Sequence, residues 1–207
     1  MSGPFSCAFS RDGSFVYVGG GGGTTFAGFG VNATTGVLSA LAGSPFDSGT
    51  NAPLAYATDS AGRLLSANFS ANQVRAFTTV SGVPAAVAGN PFTSGLMQAV
   101  HGVLHPAGFY MVADRTGNRV GVYQVGGSGA ATTLTAVAGS PFAAGGTFTD
   151  ALALNPAGTY LYAANGDSRN ITIFTVNPAT GILSNPLAQP ANTLGAAGRI
   201  TGMARTP

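Results

Sequence analysis

The 207-residue chain contains no lysine, no glutamate and no tryptophan, and a single cysteine, Cys7. Its eight cationic side chains are all arginine and its six anionic ones all aspartate, so charged residues make up only 7% of the chain. A lone cysteine excludes an intrachain disulfide; lying in an apolar run, Cys7 is expected to be a buried, inert thiol. A net charge of +2 on scattered arginines does not form the basic face that nucleic acid requires, so no nucleic-acid partner is expected. No apolar run reaches the roughly 18 residues of a membrane-spanning helix, so no membrane span is expected. The opening residues, MSGPFSCAFSRDG, lack the charged region and apolar core of a signal peptide, and none is expected in this chain. The scarcity of lysine and glutamate points to an exported protein of bacterial type, extracellular or periplasmic. A hydrophobic fraction of 45% argues against disorder, which goes with low hydrophobicity and high charge.

Glycine and proline, by contrast, are plentiful: 32 and 12 residues, with no Gly-X-Y period. That composition favours a turn-rich all-β protein. The chain also repeats itself. LAGSPF at 41–46, AVAGNPF at 86–92 and AVAGSPF at 136–142 share Pro45, Pro91 and Pro141, spaced by 46 and 50 residues, and a degenerate copy follows at Pro190. A second marker is the glycine of SRDG, DSAG, HPAG and NPAG: Gly13, Gly62, Gly108 and Gly158. In each complete case the proline precedes the next turn glycine by 17 residues. Two independent markers in one register establish a repeat.

Each unit reads as four short strands. Residues 150–156 (DALALNP) form the first, TYLYAAN the second, ITIFTVN the third and ILSNPLA the fourth, with turns or loops at NPAG, GDSRN and PATG. No stretch of 10–12 residues shows helical periodicity free of glycine or proline. Four antiparallel strands per 40–50 residues is the signature of a β-propeller blade. The predicted fold is therefore a single all-β propeller or propeller segment over 1–207. Its four complete blades lie near 4–48, 49–96, 97–146 and 147–194, with one extra inner strand at 195–207. The repeated phrase is expected to be the hinge between blades, with proline stopping the ladder and Phe46, Phe92 and Phe142 filling the seams. The run GGGGG at 19–23 lacks the helix and lysine of a phosphate loop and is expected to be a flexible connection. Unpaired blade faces would expose large apolar surfaces, so the chain is expected to assemble with copies of itself or with other propeller blades.

The stretches GSFVYVGG, GFYMVADRTGNRVGVYQV and GTYLYAANGDSRNITIFTV resemble the YVTN-type repeats of lactonase-like seven-bladed propellers. That family includes the 6-phosphogluconolactonase type and the carboxymuconate-lactonising type. The resemblance covers nearly the whole chain, with four blades where the family has seven. It implies an Arg-His pair on the inner strands, an H-P-x-G-type turn, and often Asn-Glu after the second strand. In VHGVLHPAG, His101 matches the family histidine and His105 the turn, while Val100 stands in place of the arginine. The corresponding pairs elsewhere are Leu54-Ala55, Asp150-Ala151 and Arg199-Ile200, so no blade keeps both members, and Asn165 is followed by Gly166.

Few residues remain to carry chemistry. His101 and His105 are the only imidazoles, and four strand positions put them about 13 Å apart, too far to share a metal; no metal site and no cofactor are expected. Asp150 and Arg199 occupy equivalent positions on inner strands and are expected to pair or to line a polar entrance. Asp114, Arg115 and Arg119, in ADRTGNRV, read as a solvated turn, with a surface binding loop as the alternative. His101, Asp114 and Arg119 are the candidate ligand contacts; His101, Arg199 and Asp150 are the candidate catalytic groups. Two functional readings follow. The first is a non-catalytic propeller that serves as an interaction or structural module. The second is a lactone hydrolase with His101 as base and Arg199 or Arg119 steadying the oxyanion.

Overall fold

Four antiparallel sheets follow one another along the chain, each built from one sequence repeat. The computed structural model describes residues 2–69 and 71–188; Pro190, Arg199, Ile200 and the expected extra strand at 195–207 lie outside the described residues. The first sheet runs β1 (Ser2–Phe9), β2 (Phe15–Gly22), β3 (Thr25–Val31), β4 (Leu38–Ala40), with β5 (Phe46–Asp47). The second holds β6 (Pro53–Thr58), β7 (Arg63–Asn68), β8 (Gln73–Val80), β9 (Val83–Ala86) and β10 (Phe92–Thr93). The third holds β11 (Ala99–Leu104), β12 (Phe109–Asp114), β13 (Arg119–Gly126), β14 (Thr133–Ala136) and β15 (Phe142–Ala143). The fourth runs β16 (Thr149–Leu154), β17 (Tyr160–Asn165), β18 (Asn170–Val176), β19 (Leu183–Ala188). The inner strands β1, β6, β11 and β16 stand side by side in that order. The fold is thus all-β and propeller-like, four blades in sequence.

The apolar core is divided into three seams between blades. Tyr17, Phe26, Tyr56, Leu64 and Phe77 fill the first, with Phe46 against them. Leu65, Val74, Tyr110, Val112 and Tyr123 fill the second, with Phe92. Phe109, Val122, Leu152, Leu161 and Phe174 fill the third, with Phe142. Strands between two seams are buried on both faces: every residue of β12 is buried. Cys7 is exposed, a correction to its expected burial, because β1 has a neighbouring blade on one side only among the described residues.

The first turn of each blade is capped by its own side chain. Ser10 Oγ accepts from Phe15 N, Asp59 Oδ1 from Ala61 N and Arg63 N, His105 Nδ1 from Ala107 N, and Asn155 Oδ1 from Tyr160 N. His105 is therefore the turn residue expected of it. Its remaining nitrogen donates to Gly158 O of the next blade at 2.8 Å.

The repeated phrase is not a hinge between blades. It is a kink inside the outer strand, and the ladder resumes beyond it: Phe46 pairs with Phe26, Phe92 with Val74 and Phe142 with Val120. The peptides before Pro45, Pro91 and Pro141 are cis. At the break the third strand would lose a partner, and the residue before proline supplies one. Gly28 N donates to Ser44 Oγ at 3.1 Å and Val122 N to Ser140 Oγ at 2.8 Å. Asn90 does more, accepting from Ala76 N and donating to Ala76 O. The GGGGG run is likewise corrected: Gly19–Gly22 lie in β2, and a Cβ at Gly19 would meet Pro53 O and the Tyr56 ring at 2.3 Å.

Candidate active site

Each inner strand carries a β-bulge near its start, and a bulge re-aims the side chains around it. In β11 the bulged residue is Val100, in β16 it is Asp150. Asp150 thereby turns its carboxylate into the interface between the third and fourth blades, where its side chain is 1% exposed. Its partner there is Arg115, from the connection between β12 and β13: Arg115 Nε donates to Asp150 Oδ1 at 2.5 Å. The guanidinium lies against two aromatic faces, Phe148 at 5.1 Å and Phe69 at 5.9 Å, a cation–π arrangement that holds it in place. Three blades thus contribute to one polar cluster.

Asp150 Oδ2 is buried with no hydrogen-bond partner, a state that costs about 1–3 kcal/mol unless a ligand or water meets it. The room around it comes from a glycine. A Cβ at Gly166 would stand 2.8 Å from Asp150 Oδ2. The acid that the resemblance puts at position 166 is absent, and a carboxylate arriving from position 150 fills its neighbourhood.

His101 is half-buried on β11 and reaches across the same interface, where its Nδ1 accepts from Leu152 N at 3.2 Å. That bond fixes the tautomer: the proton sits on Nε2, which is a donor. Burial pushes the imidazole below its ordinary value of 6.5, so the ring is neutral at pH 7. A base would need the lone pair that Leu152 N already occupies. His101 therefore offers Nε2–H as a donor.

The other candidates are placed apart from this cluster. Asp114 is fully buried, which corrects the solvated-turn reading. Its Oδ1 accepts from Met97 N, Gln98 N and Gly117 N, and its Oδ2 pairs with Arg119 at 2.9 Å. Arg119 also donates to Gly95 O. Both residues hold the loop that leads into β11. Asn68 and Asn165 close equivalent positions of their blades, Asn68 on Thr50 and Asn165 on Thr149, Asn170 and Thr172. Asp150 is paired with Arg115, a partner that sequence reasoning assigned to the loop; Arg199, its expected partner, lies outside the described residues. Among the described residues no group of three His, Cys, Asp or Glu could hold a metal ion.

A cavity of about 790 Å³ lies along the inner strands toward their far ends, lined among others by Tyr56, Asp59, Arg63, Val103 and Leu154. Gly102 and Leu152, the residues next to and bonded to His101, are among its lining. Tyr56 brings a buried hydroxyl without a partner to this wall, and burial raises its ionisation well above the usual tyrosine range. Neither His101 nor Asp150 is among the residues that line this cavity.

The chain is similar in fold to several solved propellers. A protein described as a candidate 6-phosphogluconolactonase from Bacteroides fragilis superposes with a TM-score of 0.77 at 18% identity, over 91% of this chain and 55% of that one. The periplasmic gluconolactonase of Pseudomonas aeruginosa gives 0.70 at 18% identity, over 93% and 55%. A catalytically inactive virginiamycin B lyase from Staphylococcus aureus gives 0.58 at 14%, over 92% and 56%. The chain spans about half the length of these structures, and at such identities the likeness speaks for fold alone. No curated protein sequence matches it. The profile of the family described as "Lactonase, 7-bladed beta-propeller" matches residues 79–193, more than half of the chain, and this chain belongs to that family.

Proposed function

We propose that the chain is a lactone hydrolase, acting on a sugar lactone or a related small cyclic ester at the start of the inner strands. The observation that carries this reading is the buried Asp150 carboxylate, held through one oxygen by Arg115 and unpartnered at the other. In this role Asp150 Oδ2 takes a proton from water as the water oxygen bonds to the lactone carbonyl carbon. The oxyanion that forms receives the His101 Nε2–H and the free N–H groups of Arg115. Collapse breaks the ring C–O bond, and the proton held by Asp150 passes to the departing ring oxygen. No nucleophilic side chain is needed, which suits a chain with a single exposed cysteine. The base in this proposal is thus Asp150 where the reading from sequence has His101, and His101 and Arg115 take the oxyanion role given there to Arg199 or Arg119. Membership of the lactonase family favours this function over the non-catalytic module, which rested on the shortage of ionisable residues. The likeness to a periplasmic gluconolactonase supports a periplasmic or extracellular setting.

The test is hydrolysis of glucono-δ-lactone, followed by acid release above the spontaneous rate. A positioned general base is worth roughly 10²–10⁴-fold, so Asp150→Asn should lose at least about 10²-fold in kcat while His101→Gln loses less and keeps KM. No turnover above background, or unchanged turnover in Asp150→Asn, would refute the assignment.

A further inference from the structure

One position has three different duties in three successive blades. The residue that follows the second strand donates its N–H to the carbonyl of the residue that precedes the first: Phe69 to Ala52, Arg115 to Gln98 and Gly166 to Phe148. In the third blade this position supplies the guanidinium of the polar cluster, and in the second a ring against it. In the fourth it carries no side chain, which leaves the room beside Asp150 Oδ2. The other ring at Arg115 comes from the accepting partner in the fourth blade, Phe148.

Phe148 holds a left-handed backbone, φ +63, as Ala52 does in the same place of the second blade, at φ +52. For a bulky residue that region is an outlier. Such residues persist where their surroundings over-determine them, and they gather at active sites. Phe148 N donates to Asn118 Oδ1 of the third blade at 2.7 Å, and Phe148 O accepts from Gly166 N at 2.8 Å. Two bonds thus hold the bend, and Ala52 shows that it needs no side chain larger than a methyl group. Core packing does not account for the ring either. It is half-buried and belongs to none of the three apolar seams. It does meet Arg115, whose Cζ stands over it at 5.1 Å.

We infer that Phe148 is a positioning residue for the proposed hydrolysis, on which this inference rests: its strained backbone sets the ring against Arg115, and the ring fixes the plane of the guanidinium. Arg115 Nε is committed to Asp150 Oδ1. Rotation about that one bond would still swing the remaining N–H groups away from the oxyanion. An aromatic face against the planar cation opposes the rotation, because tilting gives up the stacking contact.

Phe148→Ala gives the fourth blade the residue that the second already carries at this bend, so far-UV circular dichroism should be unchanged. With glucono-δ-lactone its kcat should fall about 10–10²-fold, as for a displacement of up to about 1 Å, at nearly constant KM. Phe148→Tyr keeps the ring and should restore most of kcat. A second readout needs no turnover. The Arg115 Nε–H, shielded and bonded to Asp150, should give a resolved proton–nitrogen correlation signal, assigned by its loss in Arg115→Lys. It should shift and exchange faster in Phe148→Ala and stay in place in Phe148→Tyr. Wild-type kcat in Phe148→Ala would overturn the inference and leave the hydrolase standing. A raised KM at unchanged kcat would overturn it too, the mark of a ring that touches substrate. If the wild-type chain does not hydrolyse the lactone, the proposed activity falls and the Nε signal decides alone. A signal that Phe148→Ala leaves unmoved then overturns the hold on Arg115, and one that moves sustains it.

Discussion

Asp114 and Asp150 are buried aspartates with an arginine beside each, and the proposed function gives them opposite duties, which substitution with alanine separates. Asp114→Ala orphans Met97 N and Gln98 N, bonded at 3.0 and 2.8 Å, and the weaker Gly117 N at 3.3 Å. These donors are part-buried, so each costs toward the lower end of about 1–3 kcal/mol. Arg119, 31% exposed, recovers solvation, so its lost ion pair adds little. The sum is about 3–5 kcal/mol. Asp150→Ala removes one charged hydrogen bond, worth about 1.5–3 kcal/mol, and with it an unpartnered buried oxygen that costs about 1–3 kcal/mol. The two nearly cancel, and Arg115 keeps its aromatic neighbours. For a chain of this size each kcal/mol moves Tm by about 2–4 °C, so Asp114→Ala should melt roughly 6–20 °C below Asp150→Ala. Thermal unfolding followed by circular dichroism measures this, and lactone hydrolysis measured below both transitions supplies the second axis. Asp150→Ala should be inactive and stable, Asp114→Ala active per folded molecule and fragile. Equal melting losses, or the reverse order, would refute the division of labour.

Three further outcomes follow from the same geometry. His101 has a lowered folded-state pKa, so the unfolded chain binds its proton first as pH falls; its contribution is full above about 6.5 and lost below that value. Urea titrations at pH 7.5 and 5.5 should show wild-type stability falling more steeply than that of His101→Gln. Gly166→Ala, with its Cβ 2.8 Å from Asp150 Oδ2, should reduce hydrolysis more than it lowers Tm; a purely structural role would do the converse. Asn90→Ala loses two hydrogen bonds to Ala76 and Ser140→Ala loses one to Val122, so denaturant midpoints should report about 2 and about 1 kcal/mol.

The blades were legible because the repeat leaves two markers in fixed register, and register is what a propeller needs. The meaning of AGSPF was harder to read. A proline that ends a ladder and one that interrupts it look alike in sequence, and the difference lies in Phe46, Phe92 and Phe142 rejoining the strand they had left. Cys7 and Asp114 were misjudged for a shared reason: burial in a propeller depends on whether a neighbouring blade is present, not on the local run of residues. His101 and Asp150 could be found by position, but not their duties. The tautomer of His101 is set by Leu152 N, 51 residues away, and the partner of Asp150 by a bulge that no residue pattern announces. Arg115 was visible only as one of three charges in a loop. Two phenylalanines from different blades give it its setting.

The division of the core into three seams has a consequence for how the chain comes apart. A single core fails all at once, whereas stacked units hold one another pairwise, so stability resembles a sum of nearest-neighbour couplings. The second and third blades each own two couplings, the first and fourth one apiece among the described residues. Opening should therefore start at the flanks and travel inward, and amide exchange should be slowest in β7 and β12. The candidate active site lies in the last of these seams, between the third and fourth blades. Asp150 meets Arg115, and His101 meets Leu152, across that one coupling, and any contact that braces the fourth blade from outside would also steady Asp150 and His101.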